Sequence, residues 1–157
     1  MTQPLVVLAP LRGGEADAAR GAIAALHEPF ARVPGTHMAR LQVLRPRARR
    51  FRGRTRHYVL LVAEHDGAAA PWLAAAAREL DAVLSHCAFW PGPDDPAEVV
   101  SWAQARELRV GFSIAGSPGA TVEEVGEALA LRERLGRFAA HSEGLDDAAL
   151  HAAWEAR

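Results

Sequence analysis

Short apolar runs alternate with longer Ala-rich stretches of helical period along this chain of 157 residues. Leu5 to Ala9 (LVVLA) is apolar and β-branched, stops at Pro10, and predicts a buried strand. From Glu15 to about Phe30 the positions Ala18, Ile23, Leu26 and Phe30 recur at roughly helical spacing, with Glu15 and Asp17 in the first turn. Pro34-Gly35 is a turn, and His37 to Leu44 (HMARLQVL) predicts a second strand. Its alternation places His37, Ala39, Leu41 and Val43 on one face and Met38, Arg40, Gln42 and Leu44 on the other. His57 to Ala63 (HYVLLVA) predicts a third strand, closed by the turn signal Asp66-Gly67. Pro71 opens an Ala-rich helix to about Leu84, with Trp72, Leu73, Leu80 and Leu84 as packing residues.

The remainder follows the same rules. Ser85 to Asp95 is irregular, Pro96 to Leu108 is a shorter helix, and Val110 to Ala115 (VGFSIA) is a fourth strand stopped by Gly116-Ser117-Pro118-Gly119. Thr121-Val-Glu-Glu is a capping-box pattern that starts a long helix to about Phe138. A short amphipathic helix occupies the tail 142–157, with Ser142 or Asp146 as its cap. The element order β-α-β-β-α-(α)-β-α predicts an α+β class, a ferredoxin-like βαββαβ antiparallel sheet with helices on one face. Residues 1–157 read as one domain, with a core from about 4 to 140 and a helical tail.

Composition narrows the functions. Of the 50% apolar residues, 34 are Ala, so large core formers are few and helices dominate. All 18 basic residues are Arg, seven of them between 45 and 56, and the net charge is −1. That balance argues against a protein that coats nucleic acid with its whole surface. The Arg-rich loop leaves two readings: phosphate contact through Arg49, Arg50 and Arg52, or a solvated hairpin tip. The lone Cys87 excludes a disulfide within the chain and any multi-cysteine metal cluster. The N-terminal segment has no basic n-region, and no apolar run approaches the roughly 20 residues of a membrane helix, so a cytoplasmic protein is expected.

A four-stranded sheet with helices on one side leaves an apolar face open, which a homodimer packed face to face would cover. This order, with Thr36-His-Met-Ala-Arg40, His65-Asp66-Gly67, Ser85-His86-Cys87 and Pro118-Gly119-Ala-Thr121, resembles the dimeric α+β barrel superfamily. That group contains antibiotic-biosynthesis-type monooxygenases, chlorite dismutases and dye-decolorizing peroxidases. The match is to poorly characterised bacterial members with a motif close to His-Phe-Ala-Arg, where Met38 stands in place of the aromatic residue. The resemblance implies oxidative tailoring of a secondary metabolite by a small-molecule enzyme, with haem or with no cofactor.

The candidate chemistry is sparse. His37 reads as an acid/base or ligand residue, or as a hydrogen-bonded histidine at a strand edge. Arg40 would hold an anionic group, or pair with Glu64 or Asp66. The two point to opposite faces unless a bulge intervenes. His65 and Asp66 end a strand, where a carboxylate could orient an imidazole, although Asp-Gly is also plain turn chemistry. Tyr58, His86, Trp90 and Phe112 are the expected lining of a pocket for an apolar or aromatic substrate. His86 also suits a helix C-terminus, and Cys87 suits a small buried hydrophobe. The His spacing predicts no metal site, and the glycines form no nucleotide-phosphate loop. The alternative to an enzyme is a ligand-binding or assembly subunit using the same sheet face.

Overall fold

The computed structural model describes residues 2–45, 56–109 and 119–155. Three nine-residue strands, β1 (Thr2–Pro10), β2 (Thr36–Leu44) and β3 (Tyr58–Asp66), form an antiparallel sheet in the order β1-β3-β2. Because β3 runs antiparallel to both neighbours, β1 and β2 run parallel to each other with β3 inserted between them. Among the described residues five α-helices accompany the sheet in this α+β chain: α1 (Ala16–Ala25), α2 (Ala69–Leu84), α3 (Pro96–Gln104), α4 (Val122–Ser142) and α5 (Asp147–Glu155). The chain divides into two compact units, Met1–Val122 and Glu123–Arg157, where the sequence predicts a single core reaching to about residue 140.

Strand alternation builds the core of the first unit. On β3, Val59, Leu61, Ala63 and His65 are buried while their neighbours are only partly so. The register sets Ala9, Val7 and Leu5 of β1 beside Val59, Leu61 and Ala63, with Val43, Leu41 and Ala39 of β2 on the other side. Onto this face α2 lays Trp72, Leu73, Ala76, Ala77, Leu80, Val83 and Leu84, a stripe of helical spacing. The Ala residues let helix and sheet approach closely. Helix α3 adds Val99, Trp102 and Ala103, its first turn capped by the Asp95 carboxylate, which accepts the Ala97 and Glu98 N–H groups. The opposite sheet face carries Val6, Leu8, Tyr58, Leu60, Val62 and Leu44, all half-buried.

Several boundaries differ from the sequence expectation. Helix α1 ends at Ala25 instead of near Phe30, because Pro29 opens a 3-10 turn over Pro29–Arg32 and Glu28 before it adopts φ 44°. Strand β1 starts at Thr2, and β3 runs past Ala63 to Asp66, because each finds ladder partners there. Helix α3 stops at Gln104, and the chain turns onto the outer edge of β1. There Leu8 N–H donates to the Arg106 carbonyl (3.0 Å) and Leu108 N–H to the Val6 carbonyl (2.8 Å). Helix α4 extends to Ser142, and Asp146 caps α5 by accepting the Ala149 N–H at 2.9 Å.

The fourth strand expected over Val110 to Ala115 and most of the Arg-rich loop lie outside the described residues. What is described is an open three-stranded sheet, not a closed barrel. Among the described residues no helix is long and apolar enough to cross a membrane.

Candidate functional site

At the end of the sheet where β1 begins and β3 stops, all three strands contribute to one polar cluster. Its geometry starts with Gly35, which holds φ +74° and whose carbonyl accepts the Asp66 N–H at 2.8 Å. A Cβ at Gly35 would lie 3.3 Å from the Asp66 Cβ, so both the backbone angle and the close approach favour glycine. The strand that follows carries a register shift: Thr36 sits opposite His65 and Met38 opposite Glu64, leaving His37 as an extra residue. Such bulges concentrate on edge strands, and β2 is one.

The bulge overturns the face assignment made from alternation alone. His37 leaves the helix-covered face on which Ala39, Leu41 and Val43 lie, and its Nε2 reaches Asp66 Oδ1 at 2.9 Å and Thr2 Oγ1 at 3.3 Å. Thr2 and Asp66 face each other across the β1–β3 ladder, so the three side chains belong to three strands. Asp66 Oδ2 accepts the Val122 N–H at 2.8 Å. That backbone bond, with the His37 contact, outweighs partial burial and holds the Asp66 carboxyl below the usual carboxylate range.

An ionised carboxylate can only accept, so the His37 proton resides on Nε2 and the lone pair on Nδ1. This is not a hydroxyl–imidazole–carboxylate relay, which would engage one ring nitrogen for each partner. It is a His–Asp dyad with one basic nitrogen left over. Both side chains are accessible at the surface, at 16% and 18%.

His65 points the other way. It is fully buried, stacked on Trp72 with ring centroids 5.1 Å apart, and its Nδ1 lies 3.3 Å from the Asp66 carbonyl oxygen. A carbonyl only accepts, so Nδ1 carries the proton and the buried Nε2, which has no hydrogen-bond partner among the described residues, carries the lone pair of the neutral ring. Trp72 donates from Nε1 to Thr36 Oγ1 at 2.9 Å, Thr36 donates to the Val33 carbonyl at 2.7 Å, and Phe30 stacks on Trp72. This layer supports the bulge from beneath. His65 and Asp66 are neighbours in sequence but serve opposite faces; the carboxylate orients His37.

The other predicted site residues lie elsewhere. Arg40 is exposed on the same side of β2 as the bulged His37 and makes no hydrogen bond or ion pair with the described residues. Tyr58 pairs with Pro10 and Leu44, at the far end of the sheet, roughly 25 Å away by strand rise. His86 is near that far end as well, where its Nδ1 meets Glu15 Oε2 at 2.7 Å. Trp90 packs edge-on against Trp102 beneath the helices and donates to Asp81 at 2.8 Å. Tyr58 and Trp90 are therefore on opposite faces of the sheet, and Phe112 lies outside the described residues.

Cys87 is buried, with its thiol pushed up to about 12 by desolvation, which withholds the nucleophilic thiolate. Among the described residues no three His, Cys, Asp or Glu converge as metal ligands. The apolar cleft lined by Leu61, Leu80, Trp90 and Trp102 carries no histidine to ligate a haem.

Gly35, Thr2, Thr36 and the Val122 N–H were not identifiable as site components from sequence. Only the Pro34-Gly35 dipeptide before a strand hinted at local irregularity. Comparison of the chain with protein families, curated proteins and solved structures finds no match.

Proposed function

We propose that the chain is a small-molecule enzyme in which His37 acts as general base and acid, oriented by Asp66. The carrying observation is the bond at Nε2: donation to a carboxylate leaves the lone pair of the neutral ring on Nδ1, in a side chain 16% exposed. Proton abstraction from an acidic C–H or O–H of an apolar or aromatic substrate is the chemistry this favours. Arg40, free on the same side of the strand, is the group available to hold the resulting anion. Oxidative tailoring of the kind catalysed by dimeric α+β barrel enzymes, without a cofactor, is the finer reading.

Two features support that architecture. The β1-β3-β2 order, with the chain at 106–108 taking up the outer edge of β1, matches three strands and the start of a fourth in a ferredoxin-like sheet. The half-buried apolar face of Val6, Leu8, Leu60 and Val62 is suited to a second copy.

The test is turnover of a panel of phenolic and enolisable aromatic compounds, followed by substrate loss and oxygen uptake. His37→Ala abolishes it while the fold, read by circular dichroism, persists. Unchanged turnover in that variant removes His37 from the mechanism.

One observation favours a second reading. Asp66 also accepts the Val122 N–H, which makes the dyad a backbone latch in a non-catalytic ligand-binding or assembly subunit. On that reading His37→Ala and Asp66→Asn lower stability, and no compound in the panel turns over.

A further inference from the structure

In the second unit, Leu131, Leu135 and Phe138 of α4 and Trp154 of α5 line one groove of about 550 Å³, with Arg134 in its wall. Spacing accounts for the α4 side. Leu131, Leu135 and Phe138 follow at i, i+4 and i+7, so they stack along one face of the helix. Trp154 reaches that face from α5 and meets Phe138 edge-on, ring centroids 5.2 Å apart. Packing of the two helices leaves the groove open: Leu131, Leu135 and Trp154 remain 47%, 42% and 57% exposed. Ligand sites are usually spaces of roughly 300–1,000 Å³ lined by aliphatic and aromatic side chains with few polar groups. This groove has that size and lining, and a single polar side chain.

That side chain says which ligand fits. Arg134 comes three residues after Leu131 and four before Phe138, so its stem borders the apolar stripe. Helical reach from Arg134 covers positions 130, 131, 137 and 138, which are Ala, Leu, Arg and Phe. No carboxylate of α4 is therefore placed to neutralise it. Nearby charges are matched: Arg137 pairs with Glu133 at 3.8 Å, and on α5 His151 lies 3.6 Å from Glu155. Arg134 makes no hydrogen bond or ion pair with the described residues. An unmatched guanidinium beside an apolar groove is complementary to an anion with an apolar body. A carboxylate matches the planar fork of Arg, and the Leu side chains and aromatic rings match a hydrocarbon chain.

We propose that the groove between α4 and α5 binds an apolar carboxylic acid. The carboxylate pairs with Arg134, and the chain lies against Leu131, Leu135, Phe138 and Trp154. The site lies wholly within the second unit and does not depend on the His37–Asp66 dyad.

The test is titration of the full-length chain with decanoate, held below the concentration at which it aggregates and followed by calorimetry and tryptophan fluorescence. Decanoate binds one to one and shifts the emission. Trp154→Phe removes the shift, although Trp72, Trp90 and Trp102 remain in the first unit. Arg134→Gln weakens binding about tenfold or more, to the level at which uncharged decanol binds the parent chain. Arg132→Gln removes the same charge from a position outside the groove lining and leaves binding unchanged. Both Arg side chains are exposed, so neither variant disturbs the fold, which circular dichroism checks. The proposal is overturned if decanoate does not bind, if decanol binds as tightly, or if the two Arg variants lose affinity equally, which assigns the effect to net charge. Association with phosphatidylglycerol vesicles but not with monomeric decanoate overturns it as well, and makes the surface a membrane contact.

Discussion

The two units of this chain each carry a long helix of strong helix formers, to opposite effect. In the first, the Ala-rich helix α2 has Ala76 and Ala77 at 2% exposure, pressed between Trp72, Leu73, Leu80 and a sheet. In the second, α4, with 4 Ala and 3 Leu in its 21 residues against 7 Ala and 3 Leu in the 16 of α2, is exposed along its middle. All buried apolar residues among those described lie between Leu5 and Ala103. The difference is not propensity, since Ala, Leu, Glu and Arg are strong helix formers in both. It is the presence of a flat apolar partner. A sheet offers α2 a surface along its whole length, whereas α5 offers α4 a strip shorter than half its own.

The largest test of that contrast is a pair of truncations. Leu80→Ala, at a site with no exposed surface, removes about 2–5 kcal/mol of stability to denaturant. Leu129→Ala on α4, at a residue 51% exposed, stays within about 0.5 kcal/mol. Comparable losses in the two would mean that α4 is covered in the single chain.

A smaller effect is expected at the bulge. Gly35→Ala places a side chain at φ +74° and against Asp66, costing about 1–2 kcal/mol. Its denaturation midpoint should fall, with the slope unchanged. A midpoint equal to that of the parent would show that the turn relaxes.

The Asp66 carboxyl supplies a test with a sign. Its pKa is held low in the fold, so the stability it contributes is present above the unfolded value of about 4 and lost as pH falls through the lower folded value. The parent is therefore more stable than Asp66→Asn at pH 7, and the gap narrows at pH 3. A constant gap would show that the Val122 and His37 contacts do not favour the ionised form.

The smallest expected effect concerns amide exchange. Amides of α2 and β3 should exchange only through global opening, while those of α4 exchange locally and faster. Exchange of α4 as slow as that of α2, at any concentration, would remove the contrast between the units.

Much of the site was within reach of sequence reasoning, but its connections were not. His37, His65 and Asp66 were recognisable as chemistry-bearing residues near strand ends. Simple alternation then assigned His37 to the wrong face, because one extra residue at the bulge reverses every side chain before it. Register of this kind is set by the partner strand, here the pairing of Thr36 with His65, and no local window contains both. Thr2 and Val122 joined the cluster from the two ends of the first unit, and the capping pattern that contains Val122 gives no sign of a partner on β3.

What the sequence determined by itself was the set of elements: apolar β-branched runs made strands, Ala-rich periodic runs made helices, and Pro and Gly marked the ends. Those outcomes depend on near neighbours, through backbone sterics and side-chain period. Tertiary structure alone decided that Asp66 serves His37 and not the adjacent His65, and that the helical face of α2 is buried while that of α4 is not. Both depend on which surfaces meet across long stretches of chain, where loop closure and shared burial outweigh local preference.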